Sequence, residues 1–205
     1  LVVVTAGLGV PSSTRLLGDR LAAATERHLR DAGLTPRTTT IELREHAQDL
    51  VNHLLTGFPA PSVQAAIDAT TAADGLIVVS PIFNASYSGL FKLFFDVIDR
   101  GGLAGTPTLL AATGGTARHS LAIDHALRPL FAYLNAATVP TGVYAASDDW
   151  GSTGVAADAS LVSRIDRAAG ELATAIRQRP PRARRDRFED PVAFEDLARS
   201  FDPPG

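Results

Sequence analysis

The chain has 205 residues, is 45% hydrophobic and 20% charged, and carries a formal net charge of −3. That is enough chain for one large domain with a substantial core, and its mild negative charge argues against a nucleic-acid binder. No apolar run approaches the roughly 18 residues of a membrane span, the absence of cysteine excludes disulfides and thiolate chemistry, and with no secretory leader visible in LVVVTAGLG a cytoplasmic location is expected.

Strand-like and helix-like segments alternate along the chain. Residues 1–5 are an apolar β run. Leu17, Leu21, Ala24 and His28 fall at helical spacing and predict a helix over 13–32, with Gly33 as its stop. A second strand is expected at 37–43, a short helix and loop from Glu45 to Gly57, and a helix at 62–73. The run GLIVVS, residues 75–80, has the continuous apolar character of a central parallel strand covered on both faces, and Pro81 is expected to end it. Then come a helix at 88–100, a strand at 107–112, a helix at 118–134 and a strand near 138–145. A last amphipathic helix is expected at 155–178, with Leu161, Ile165, Leu172 and Ile176 on one face. Inside the helix 118–134, the ring of Pro129 conflicts with the carbonyl of residue 125 and one donor is lost. A kink or widened turn around His125 follows from that.

Five strands alternating with helices predict an α/β fold. It is a doubly wound, five-stranded parallel sheet in the flavodoxin-like order 2-1-3-4-5, with helices on both faces. The domain is drawn over residues 1–178. Residues 179–205 are an Arg/Pro-rich C-terminal extension with six Arg and six Asp/Glu. It reads as a solvated segment, or as one whose short helix around 192–201 docks on a neighbouring subunit. A nucleic-acid arm does not fit, because the acidic half follows at once and aromatics are not interleaved with the basic run.

In open sheets of this kind ligands bind beyond the carboxyl ends of the strands, where the strand order switches. Three loops there are unusual. In TAGLGVPSSTRLLGDRL, residues 5–21, Gly7 and Gly9 allow close backbone approach, and Ser12 is a good cap for the helix that follows. Ser12, Ser13, Thr14 and Arg15 at a helix start suit a terminal phosphomonoester. A dinucleotide loop is discounted, because Ser12 replaces the third glycine and Pro11 interrupts. Plain capping, with Arg15 solvated, is the alternative. The second loop holds Pro81, Ile82, Phe83 and Asn84, where a planar heterocycle could lie against backbone and rings; Tyr87 reads as a core or interface aromatic. The third, Thr113-Gly114-Gly115-Thr116, brings backbone N–H groups close to a ligand edge. For a flavin that edge would be N1 and the C2 carbonyl, where negative charge accumulates on reduction.

SPIFNASYSGLFKLFFDVID together with ATGGTARHSLAIDHALRPL resembles the NAD(P)H-dependent FMN reductases of flavodoxin-like fold, over about residues 1–150. The branch it is most similar to supplies reduced FMN to two-component flavin-dependent monooxygenases. The first loop departs, since many relatives read G-S-x-R where this chain has Gly7-Leu8-Gly9-Val10. The resemblance implies FMN held between the three loops, hydride delivered from NADPH or NADH, and a partner monooxygenase receiving the reduced flavin. It also implies a homodimer or homotetramer formed through the helices 88–100 and 118–134.

No acid–base constellation is expected, because hydride transfer to flavin is the cofactors' own chemistry and the protein supplies position and field. Arg118, His119 and Trp150 are candidate contacts for the nicotinamide substrate. The five histidines show no metal-ligand spacing. Two other readings stay open: a quinone or azo reductase that retains FMN, and a flavodoxin-type electron carrier.

Overall fold

The computed structural model describes residues 1–151 and 155–180, with side chains described outside residues 151–159. Its centre is a parallel sheet. β1 (Val2–Thr5) lies between β2 (Thr39–Glu42) and β3 (Leu76–Phe83), and β5 (Pro107–Gly114) follows on the far side of β3. The fifth position is shared by two short strands, β6 (Ala137–Thr138) and β7 (Val143–Ala146), both parallel to β5. Pro140 and Gly142 lie in the gap between them. The remaining strand, β4 (Ser86–Tyr87), turns back antiparallel on the end of β3. The flavodoxin-like order is therefore present, with a broken last strand and an added hairpin.

Alternation along the strands sorts the core into two layers. Val3, Ile77, Val79 and Leu109 face α1 (Ser13–Asp31) and α7 (Val155–Gln178), which bring Leu17, Leu21, Leu161, Ile165 and Leu172. Val2, Val4, Leu76, Val78 and Leu110 face α2 (Ala47–Thr56), α3 (Pro61–Thr71), α4 (Gly89–Asp96) and α5 (Arg128–Tyr133). On that side Phe91, Phe95 and Phe131 form an aromatic cluster with ring centroids 4.8–6.2 Å apart. Burying each such side chain contributes about 1.5–3 kcal/mol.

Three expectations are corrected. Pro81 does not end β3, which continues to Phe83. β1 stops at Thr5, opposite Val79, and β4 pairs only from Ile82 onward, so at Pro81 β3 has β5 alone beside it and a residue without N–H is tolerated. The segment 118–134 is not one regular helix. A 3₁₀ turn over Ala117–His119 precedes a π-helical stretch, Ile123–Leu127, in which the Arg128 N–H donates to the Ile123 carbonyl. α5 then starts with Pro129 in its first turn. The widened turn expected around His125 is thus present, one turn ahead of the proline that requires it. The other correction concerns the helix expected at 88–100: α4 ends at Asp96, and it packs in part against α2 of the same chain. Leu90, Leu93 and Val97 remain half-buried.

α7 ends at Gln178, and the next residue, Arg179, bonds back to the Ala73 carbonyl and to Thr106. The tail beyond residue 180, with its expected helix at 192–201, lies outside the described residues. Among the described residues no helix is long and apolar enough to cross a membrane, and no cluster of three or more His, Asp or Glu could hold a metal ion.

Candidate functional site

β1, β3, β5 and β7 all end on one rim of the sheet, and a cavity of about 800 Å³ opens there. Its walls come from Leu8, Gly9, Pro11 to Thr14 and Leu16, from Pro81-Ile82-Phe83, from Thr113-Gly114-Gly115, and from Ser147 and Trp150. The three loops singled out in the sequence therefore meet in space, joined by a fourth segment after β7.

The first wall is a helix start. Ser12 has extended backbone, and its hydroxyl accepts the Arg15 N–H as the cap of α1. The first helical bond inside the turn runs from the Leu16 N–H to the Ser12 carbonyl, so the amides of Ser13 and Thr14 have no helical acceptor. A Cβ on Gly7 would sit 2.1 Å from the Ser12 hydroxyl oxygen, so only glycine lets the loop pack behind its own cap. The Thr14 hydroxyl is 2.8 Å from that of Thr113, which ties this wall to the third.

Arg15 departs from expectation. Pro11, Ser12, Ser13, Thr14 and Leu16 line the cavity, and Arg15 does not. Its guanidinium is held by Asp19 at 2.8 Å and by Glu42 at 2.5 Å. The hydrogen bond to Asp19, with Glu42 adding to it, pushes the guanidinium above its ordinary pKa, so it stays charged. The wall is thus built from hydroxyls and amides, with no side-chain cation.

The second wall is held by a relay. The buried Ser80 hydroxyl donates to the Pro81 carbonyl and accepts the Ser88 N–H, while the Ser88 hydroxyl caps α4 by accepting the Phe91 N–H. Between β3 and β4 the chain reverses through Asn84 and Ala85, both at positive φ (48° and 67°), as a two-residue hairpin of the I′ kind requires. Phe83 faces the cavity, 47% exposed, while Asn84 sits at the turn tip outside the lining.

In the third wall the two glycines do different things. A Cβ on Gly114 would meet the Tyr144 hydroxyl at 2.1 Å, whereas one on Gly115 would enter open space. Tyr144 donates to the Thr116 carbonyl at 2.8 Å, and burial, aided by Asp149, pushes its phenol pKa up and keeps it protonated. Thr116 itself, with Arg118 and His119 on the following turn, is exposed and outside the lining.

The fourth wall was only partly legible, through Trp150. Trp150 reaches the cavity because Asp149 accepts the Ala146 N–H and pairs with Arg164 of α7, while Arg20 of α1 lies 5.1 Å over the indole. Leu8, Leu16 and Ser147 also line the cavity and carry no local signal; they are found only once the fold brings four strand ends together.

Comparison with known proteins places this rim in context. The profile described as NADPH-dependent FMN reductase matches residues 1–151. The chain belongs to that family. Among its relatives, the FMN reductase (NADPH) of Pseudomonas aeruginosa is 40% identical over 173 residues, covering 84% of this chain and 90% of the relative. The NADH-dependent FMN reductase SfnF of Pseudomonas fluorescens is 39% identical over 173 residues, 84% of this chain and 89% of that one. Among solved structures, an oxidoreductase from Corynebacterium diphtheriae superposes with a TM-score of 0.83 at 45% identity, covering 87% of this chain and 97% of the other. The apo form of an NADH:FMN oxidoreductase superposes with a TM-score of 0.72 at 27% identity, covering 87% and 91%.

The residues of this FMN reductase fit FMN. The hydroxyl-bearing helix start suits a phosphate, Gly115 lines the cavity with open space before its backbone, and Pro81, Ile82 and Phe83 supply an apolar wall for a ring system. FMN, with NADPH or NADH as reductant, is the chemistry of the family to which the chain belongs.

Proposed function

We propose that this FMN reductase passes hydride from NAD(P)H to FMN in the four-walled cavity and gives up the reduced flavin to a partner monooxygenase. The observation that carries the reading is the composition of the lining among the described residues: hydroxyls and amides at one end, apolar side chains at the other, and no side chain that ionises near neutral pH. In this reading Ser12, Ser13 and Thr14 hold the phosphate, Pro81, Ile82 and Phe83 the ring, and Thr113 to Thr116 its polar edge. FMN supplies the hydride-accepting chemistry when bound. The chain's residues orient the two reactants, which can be worth about 7–11 kcal/mol of barrier. Leu8, Leu16, Phe83 and Trp150 shield the reacting atoms from water, and among the described residues no lining side chain is an acid or base that could carry a proton. Arg118 and His119, exposed after Gly115, are the proposed contacts for the part of the nicotinamide dinucleotide that projects from the cavity.

Release is favoured by a phosphate end whose lining supplies hydroxyl and amide donors and no guanidinium or ammonium, since the Coulomb attraction of an ion pair is then missing from the grip. The same reading places the enzyme in the cytoplasm, as a homodimer or homotetramer through segments 88–100 and 118–134, where Leu90, Leu93, Val97 and Leu130 are left half-buried. A second reading, reduction of a planar apolar acceptor by retained FMN, is favoured by the exposed rim of Leu8, Val10, Leu16 and Phe83.

Anaerobic reduction of the FMN-loaded protein by NADPH or NADH, followed by rapid ultrafiltration, separates the two. Reduced FMN in the filtrate is the expected result. Flavin retained through many cycles of quinone reduction would overturn release and favour the second reading.

A further inference from the structure

The withdrawn guanidinium beside the anion-binding end carries a consequence of its own. Arg15 is the third residue of α1, and side chains on a helix lean toward its N-terminus. Its neighbours on both sides, Thr14 and Leu16, line the cavity. A phosphate held at this helix start would therefore have a cation within a side chain's reach, yet Arg15 is engaged by two carboxylates. Asp19 is a local partner four residues on. Glu42 is not: it comes from the end of β2, paired in register with Thr5 at the end of β1, where the first loop leaves the sheet. Glu42 also lies 3.3 Å from Arg44, so a second guanidinium stands beside its carboxylate.

We propose that Glu42 is a positioning residue that holds Arg15 away from the flavin phosphate and thereby sets how loosely this enzyme holds FMN. The proposal rests on the reading of the cavity as the FMN site. Held by Glu42, Arg15 leaves the phosphate to hydroxyls and amides, and the flavin exchanges readily. Freed from Glu42 and left with Asp19, an exposed partner one turn along the same helix whose hold is weak, the guanidinium can swing to the helix start, add a charge-assisted bond to the phosphate, and slow release.

The test is a cycle of E42Q, R15Q and E42Q/R15Q, read as the equilibrium dissociation constants of FMN and of riboflavin, which lacks the phosphate. Quenching of the single tryptophan, Trp150 in the cavity wall, reports binding without turnover. E42Q is expected to tighten FMN about tenfold, the effect of one added charge-assisted hydrogen bond, and to leave riboflavin unchanged. The gain is expected to fall below about twofold when position 15 is already Gln, the measure of coupling between the two sites. Working at about 0.15 M salt limits the general effect of deleting a negative charge. The proposal is overturned if E42Q leaves FMN affinity unchanged, if the gain is as large in the R15Q background, or if riboflavin tightens equally. A wild-type protein that binds riboflavin and FMN with equal affinity would sink the phosphate assignment as well. One that binds neither would sink the cavity reading itself.

Discussion

Thr14 and Thr113 lie 99 positions apart, and their hydroxyl oxygens are 2.8 Å from one another. Both residues are almost completely buried, at 3% and 4% exposure, so this bond is the direct tie between the helix start and the Gly-Gly wall. Replacing Thr113 by Val keeps the shape and leaves the Thr14 hydroxyl unpaired. A loss of about 1–3 kcal/mol is expected in denaturant unfolding, together with weaker FMN binding as the two walls decouple. Unchanged stability in T113V would mean the hydroxyls are satisfied some other way.

Tyr144 and Gly114 set up a second test. The phenol occupies the space a side chain at 114 would need, so G114A is expected to cost about 1–3 kcal/mol by overpacking. Y144F loses the bond to the exposed Thr116 carbonyl and should cost about 1 kcal/mol. Without the hydroxyl, the nearest ring atom to the new methyl is 3.1 Å away instead of 2.1 Å. The G114A/Y144F pair should therefore be less damaging than the sum of the two, a coupling that thermal or chemical unfolding of all four proteins measures.

These relationships mark where sequence stops being informative. The strand Val2–Thr5 and the start of β3 are continuous apolar runs, and α7 repeats Leu161, Ile165 and Leu172 on one face, so both can be read from spacing alone. Pro81 hides the rest of β3, because the rule against proline in a sheet interior assumes a neighbour on both sides, and at Pro81, between the end of β1 and the start of β4, there is one. The widened turn at Ile123–Leu127 is legible because proline's conflict is local. Three walls of the candidate site are legible at strand ends, two by glycines and hydroxyls and one by Pro81 and Phe83. That Arg15 turns from the cavity to Glu42 depends on where β2 ends, and that Ser147 joins the wall depends on α1 and α7 gripping the segment after β7. Neither follows from the local residue pattern.

Ala85 holds a backbone conformation that suits glycine, with φ at 67° in the hairpin that carries Phe83. For a residue with a Cβ the left-handed region costs about 1–2 kcal/mol. A85G removes that cost but adds freedom to the unfolded chain. A net gain of about 0.5–1 kcal/mol is expected, visible as a higher unfolding midpoint. A loss of stability in A85G would show that the methyl group makes contacts that outweigh the strain.

Low pH tests a pair of carboxylates far from the cavity. Glu26 is held below its ordinary pKa chiefly by the hydrogen bond from the Thr38 hydroxyl, with Arg30 adding to it. Asp166 of α7 is held down chiefly by the bond with His28 of α1, with Arg27 adding to it. A carboxyl whose folded pKa is depressed contributes stability that is complete above the unfolded value. That stability is lost as pH falls through the folded one, because the unfolded chain takes up its proton first. Denaturant midpoints should therefore fall as the buffer is taken from pH 6 down through the carboxylate range. E26Q and D166N should each flatten that decline while lowering the midpoint at pH 7. Both groups are close to the surface, so the effect of each is expected to be small and to shrink further in high salt. If the double variant kept the full acid sensitivity of the parent, other carboxylates would be responsible for it.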